Sequence, residues 1–139
     1  MERKYPGTDG PEATPELHGG AQGLDRRALA SIRALDSPGS SAVLERVIGI
    51  YMKNTPKLML AMRAAADAGD AAALASAAHA LKSGSLYIGA ARVGALCREI
   101  EAAARSAPAD IRAELVAAAE SEYLRVEQWL RAELAPGGA

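Results

Sequence analysis

The chain has 139 residues, a net charge of −1 and one cysteine. That is room for one domain with a modest core, no internal disulfide, and too even a charge for a general nucleic-acid binder. Half of the residues are hydrophobic, much of that alanine, with no Phe and one Trp, which favours helices packed through small side chains over a sheet.

Residues 1–24 carry Pro6, Gly7, Gly10, Pro11, Pro15, Gly19, Gly20 and Gly23 with few large apolar groups. This is the composition of a flexible linker or tail that cannot repay its ordering entropy, either a frayed end or a tether to something upstream. The folded domain is predicted over 25–135. Asp25 caps a short helix to Leu35 that buries Leu29 and Ile32. Ser37-Pro38-Gly39 breaks it, and Ser40 or Ser41 caps a longer helix with Leu44, Val47, Ile48 and Tyr51 inward. Pro56 either kinks that helix or opens a new one. Leu58, Met59, Met62 and Ala66 carry the apolar side on to Gly69, a helix stop, and Asp70 caps the next helix.

That helix runs from Asp70 to Ile88 and is ended by Gly89. The following one turns Val93, Leu96, Cys97, Ile100 and Ala104 inward. The last starts at Ala107-Pro108, presents Ile111, Leu115, Ala119, Val126 and Leu130, and reaches Leu134 before Pro136-Gly137-Gly138. Arg92, Arg98, Glu99, Arg105, Glu114, Glu122 and Arg125 read as solvated faces. The fold predicted is all-α: an antiparallel four-helix bundle with an additional short N-terminal helix. No apolar run approaches the ~20 residues of a membrane span, and no signal-peptide core is present. Cys97 reads as a buried thiol in a reducing compartment, so a cytoplasmic location is expected.

The stretch from His79 to Ala90, HALKSGSLYIGA, organises the rest. At about 100° per residue, Leu74, Leu81 and Ile88 share the buried face, with Ala77, Ala78 and Ser85 beside them. His79 falls opposite and points to solvent. Its outward neighbours are Ala72, Ala75, Ser76, Lys82, Ser83 and Leu86. A lone surface histidine is ordinarily just a polar residue. Here it stands on a platform of small residues with an ammonium at i+3, and the only other histidine, His18, lies in the linker.

Ala78, His79, Leu81, Lys82, Ser83, Gly84, Ser85, Ile88, Gly89 and Ala90 resemble the signature of histidine-containing phosphotransfer (HPt) domains of two-component phosphorelays, A-H-x-L-K-[GS]-[SG]-[SA]-x-x-[LIV]-G-A. The family's next helix, L-C-x-x-[LI]-E, is matched by Leu96, Cys97, Ile100 and Glu101. Ser83 and Gly84 reverse the commoner Gly-Ser order, and Tyr87 replaces a frequent small or amide residue. The resemblance spans residues 25 to 134. It implies that His79 is the phosphoacceptor and that the partners are response-regulator receiver domains and a (hybrid) histidine kinase. A longer chain could then tether the domain to a membrane sensor. In related chemotaxis-kinase domains a glutamate at the position of Glu101 orients the histidine. The helical wheel, which turns His79 away from the core, favours a plain surface carboxylate for Glu101 instead.

The residues support that chemistry. Imidazole, with an ordinary pKa of about 6.5, is a competent neutral nucleophile near pH 7, and can hold a phosphoryl group as a phosphoramidate. Lys82 supplies a point charge for phosphoryl oxygens. Ser83 and Ser85 are candidate donors, although Ser85 can face inward. Ala75, Ser76, Ser83, Gly84 and Leu86 are expected to form the surface on which a receiver docks. The chain has no phosphate-cradling glycine loop and no Asp cluster for Mg²⁺, so no cofactor or metal of its own is expected. The resemblance puts Mg²⁺ in the partner receiver domain and makes this chain a phosphoryl carrier and not a kinase. The competing function is a non-catalytic helical interaction module that docks a partner through the His79 face. A bundle metalloenzyme lacks its Glu-x-x-His pairs here.

Overall fold

The structure, a computed structural model, describes residues 23–135. The expected linker up to residue 22, His18 within it, and the expected Pro136-Gly137-Gly138 stop lie outside the described residues. Among the described residues five helices follow one another: α1 (Arg26–Arg33), α2 (Ala42–Ala68), α3 (Ala71–Ile88), α4 (Ala91–Ala103) and α5 (Ala109–Leu134). Helices α2 to α5 pack in a ring, each against its sequence neighbours and α5 back against α2, while α1 lies across α2 and α3. This is the four-helix bundle with an extra N-terminal helix. Among the described residues no helix is long and apolar enough to cross a membrane.

Local chemistry sets the boundaries. The Asp25 carboxylate accepts from the Arg27 amide at 3.0 Å and starts α1, and the Asp70 carboxylate accepts from the Ala73 amide at 3.0 Å and starts α3. The start of α2 is more elaborate than a single serine cap. Ser40 Oγ accepts from the Ala42 amide at 3.2 Å. Asp36, from the preceding turn, accepts from the next two amides, Val43 at 2.8 Å and Leu44 at 3.2 Å. Ser41 instead donates to Glu45 at 2.6 Å. Pro56 neither breaks nor restarts α2, which runs through it as one helix. Gly69, at φ 70°, ends α2.

Gly89 ends α3 at φ 93°, and its missing side chain has a second use. A Cβ there would stand 2.4 Å from the Asp25 carbonyl oxygen. The backbone before α1 crosses the α3–α4 turn at this point: the Asp25 amide donates to the Gly89 carbonyl at 2.7 Å and the Arg92 amide to the Gly23 carbonyl at 3.0 Å. Leu24 and Ala90 form an isolated antiparallel bridge. Gly23 and Leu24 thus hold the α3–α4 turn through their backbone.

Leu74, Leu81 and Ile88 are each 1 % exposed. Burial of such side chains is worth about 1.5–3 kcal/mol apiece, which fixes the rotation of α3 and turns the opposite face outward. Val93, Cys97, Ile100 and Ala104 complete that side of the core from α4. On α5 the buried stripe is Val116, Ala119, Glu122, Tyr123, Val126 and Leu130. Ile111, expected inside, is exposed in the first turns, and Glu122, expected on a solvated face, is buried with Oε1 3.8 Å from Arg125 Nε.

Candidate functional site

His79 sits in the middle of α3 with its side chain 64 % exposed, as the apolar stripe on the other face requires. The ring is not free. Nδ1 lies 2.9 Å from Glu101 Oε2, and Lys82 Nζ donates to the other oxygen, Glu101 Oε1, at 2.6 Å. One carboxylate on α4 thus joins the imidazole and the ammonium, which stand one turn apart on α3. This corrects the expectation that Glu101 is a plain surface carboxylate. The wheel of a single helix shows where His79 points, but not that the neighbouring helix carries a side chain long enough to reach over its edge. Lys82 is likewise more enclosed than expected, at 20 % exposed, as it reaches across to Glu101 on α4.

The hydrogen bond from Lys82 holds the Glu101 carboxyl below the usual carboxylate range, against some desolvation and helped by His79. An ionised carboxylate only accepts, so the ring nitrogen facing it is Nδ1–H, a tautomer assigned from this network. The lone pair of the neutral ring then stands on Nε2. Beneath the site, burial pushes the Cys97 thiol up to about 12, with the Glu101 charge adding to the effect, so no thiolate competes as a nucleophile.

The residues expected to form a docking surface divide. Ser76 and Ser83 are exposed beside His79, and Leu86 is 44 % exposed two turns along. Leu86 can lie flat across the seam because α4 has glycine beneath it: a Cβ on Gly94 would come within 2.6 Å of Leu86 Cδ2. The Ser83 hydroxyl turns back to the His79 carbonyl at 3.2 Å. Ala75 is half-buried against the core, because it lies on the core-ward edge of α3. Gly84 does not share the His79 face. Five residues on, it is rotated by roughly 140°, and its Cα faces the Tyr51 ring, to which a Cβ would come at 3.6 Å. It lines instead an apolar groove of about 300 Å³ between α2 and α3, with Tyr51, Asn54, Leu58, Ala80 and Tyr87.

Ser85, a candidate donor, is fully buried, and its hydroxyl shares a 2.7 Å hydrogen bond with Tyr51 Oη. Burial pushes the Tyr51 phenol well above its usual range, and its ring packs edge-on against Tyr123 at 6.0 Å. Tyr51 was placed in the core by its spacing but not given a polar partner. The signal available was a serine lying within the apolar stripe of α3. Among the described residues no three His, Cys, Asp or Glu side chains come together as a metal site.

No curated protein sequence matches the chain. Among solved structures, the chain is similar to histidine-containing phosphotransfer protein B (HptB) from Pseudomonas aeruginosa PAO1. The two are 28% identical with a TM-score of 0.73, over 81% of this chain and 95% of that one. The family model described as Hpt domain matches residues 46–131, a span that takes in His79, Lys82 and Glu101, and the chain belongs to that phosphotransfer family.

Proposed function

We propose that His79 accepts a phosphoryl group on Nε2 from the aspartyl phosphate of a receiver domain and passes it to the aspartate of another. The observation that carries this reading is the 2.9 Å contact between Nδ1 and Glu101, which leaves the nucleophilic lone pair on the nitrogen that faces solvent. In the forward step the Nε2 lone pair attacks phosphorus in line and an N–P bond forms. The P–O bond to the donor aspartate breaks, and its carboxylate leaves with the electron pair. The Nδ1 proton stays, so the ring becomes an N-phosphoimidazolium, and Glu101 faces the positive charge that develops. The return step is the same path reversed.

Lys82 has two uses in this scheme. It holds Glu101 in place, and it offers a point charge to phosphoryl oxygens one turn from the ring. In-line phosphoryl transfer needs metal-assisted charge stabilisation, which the receiver brings with its Mg²⁺. The chain is then a carrier between a histidine kinase's receiver and a response regulator, in the cytoplasm, either free or tethered to a membrane sensor. The test is incubation with a phosphorylated receiver domain. Wild-type protein gains an acid-labile, alkali-stable phosphate and His79→Gln gains none; equal labelling of the variant contradicts the reading.

A further inference from the structure

Charge is unevenly divided around the bundle. Helix α5 carries Asp110, Glu114, Glu120, Glu122, Glu127 and Glu133 against Arg112, Arg125 and Arg131. On α3, α4 and the turn after them the balance tips the other way, with Lys82, Arg92, Arg98 and Arg105 against Glu99 and Glu101. Within α3 the only acidic or basic side chains are His79 and Lys82, and Lys82 is paired with Glu101. On α4 and the turn after it, Arg98 and Arg105 are both exposed and take part in none of the ion pairs or hydrogen bonds of the described residues.

Their placement is specific. Arg98 stands three residues before Glu101 and Arg105 four after it. Arg98 lies one turn before Glu101 on α4, and Arg105 lies in the turn that follows the helix, two residues past its last residue, Ala103. Glu101 is the residue that reaches His79. Two guanidinium groups therefore flank Glu101 along the chain, with exposed Glu99 beside Arg98 as the acidic neighbour on the same helix. A guanidinium that is always charged and bonds to no protein acceptor suits carboxylate and phosphate oxygens.

We propose that Arg98 and Arg105 form an electrostatic rim that draws in and orients an acidic protein surface, the one surrounding the partner's aspartyl phosphate. This rests on the carrier role proposed above and adds to it the charge the partner must present. The rim acts on encounter, where charge complementarity changes the association rate more than the bound state. Its effect fades as salt shortens the screening length to about 3 Å at 1 M.

The experiment is the salt dependence of kcat/KM for transfer from a phosphorylated receiver domain. Arg98→Gln/Arg105→Gln is compared with wild type and with Arg131→Gln, which removes a cation from α5. The double variant is expected to lose about fivefold in kcat/KM at low salt, with a flattened salt dependence and convergence on wild type at about 1 M salt. Arg131→Gln should follow the wild-type salt slope. Equal slopes for wild type and the double variant overturn the rim and leave the carrier role standing, as does an equal loss in Arg131→Gln. If wild-type protein takes no phosphate from the receiver, the carrier role fails and the rim falls with it.

Discussion

Replacing Glu101 by glutamine tests what the carboxylate contributes to the chemistry. Glutamine keeps a carbonyl oxygen that can accept from Nδ1–H, so the ring stays oriented, but it cannot balance the charge of a phosphoimidazolium. The carboxylate oxygen lies 2.9 Å from Nδ1. Two unit charges with centres about 4 Å apart interact by about 4 kcal/mol at an effective dielectric of 20 and about 1 kcal/mol in water. The imidazole is 64 % exposed, and Lys82 offsets part of the same carboxylate, so the lower figure applies. About 1 kcal/mol is roughly a fivefold change in rate. The assay is single-turnover transfer from a saturating phosphorylated receiver, followed by rapid quench at a pH where the ring is neutral. Glu101→Gln should be about fivefold slower. Glu101→Ala should be slower still, because the ring also loses the group that keeps the proton on Nδ1. If Glu101→Ala transfers phosphate at the wild-type rate, the carboxylate neither orients the ring nor stabilises its charge, and the mechanism is wrong on that point.

Three further outcomes are expected. Ser83→Arg puts a long side chain one turn from His79 on an exposed position; near-attack geometry tolerates displacements of only about 1 Å, so receiver transfer should be lost while circular dichroism stays helical. Tyr51→Phe strands the buried Ser85 hydroxyl and should cost about 1–2 kcal/mol in urea unfolding, with much of the loss recovered when Ser85→Ala is added. Glu101 has a lowered pKa in the folded state, chiefly through Lys82. Its stabilising contribution is fully present above the ordinary carboxylate value of about 4.3 and is lost as pH falls through the lower folded value. The gap in urea midpoint between wild type and Glu101→Gln should therefore be constant near neutrality and close in acid.

The bundle was readable in the sequence because its signals are local. Asp25, Gly69, Asp70 and Gly89 act on neighbouring amides and carbonyls, and all four mark the boundaries expected of them. The rotation of α3 was equally plain, since Leu74, Leu81 and Ile88 recur at seven-residue spacing and leave His79 outside. What did not show were contacts between elements. Asp36 caps α2 from seven residues away. The Tyr51–Ser85 bond joins two helices. The reach of Glu101 to His79 depends on how α4 lies beside α3. A helical wheel has no neighbour in it, and for that reason it assigned Glu101 to the open surface and left Ala75 on the docking face; Gly84 it already turns away from His79. The resemblance to phosphotransfer domains pointed to the glutamate when the wheel did not.

The central claim is that phosphate rests on Nε2 of His79 with Nδ1 held by Glu101. The most direct measurement is nuclear magnetic resonance of protein with nitrogen-labelled histidine, phosphorylated by a receiver domain and examined for nitrogen–phosphorus coupling and for the protonation of the second ring nitrogen. The account predicts a single phosphoryl group on Nε2 of His79 and a proton on Nδ1. A phosphate on Nδ1, on another residue, or nowhere in the chain contradicts it.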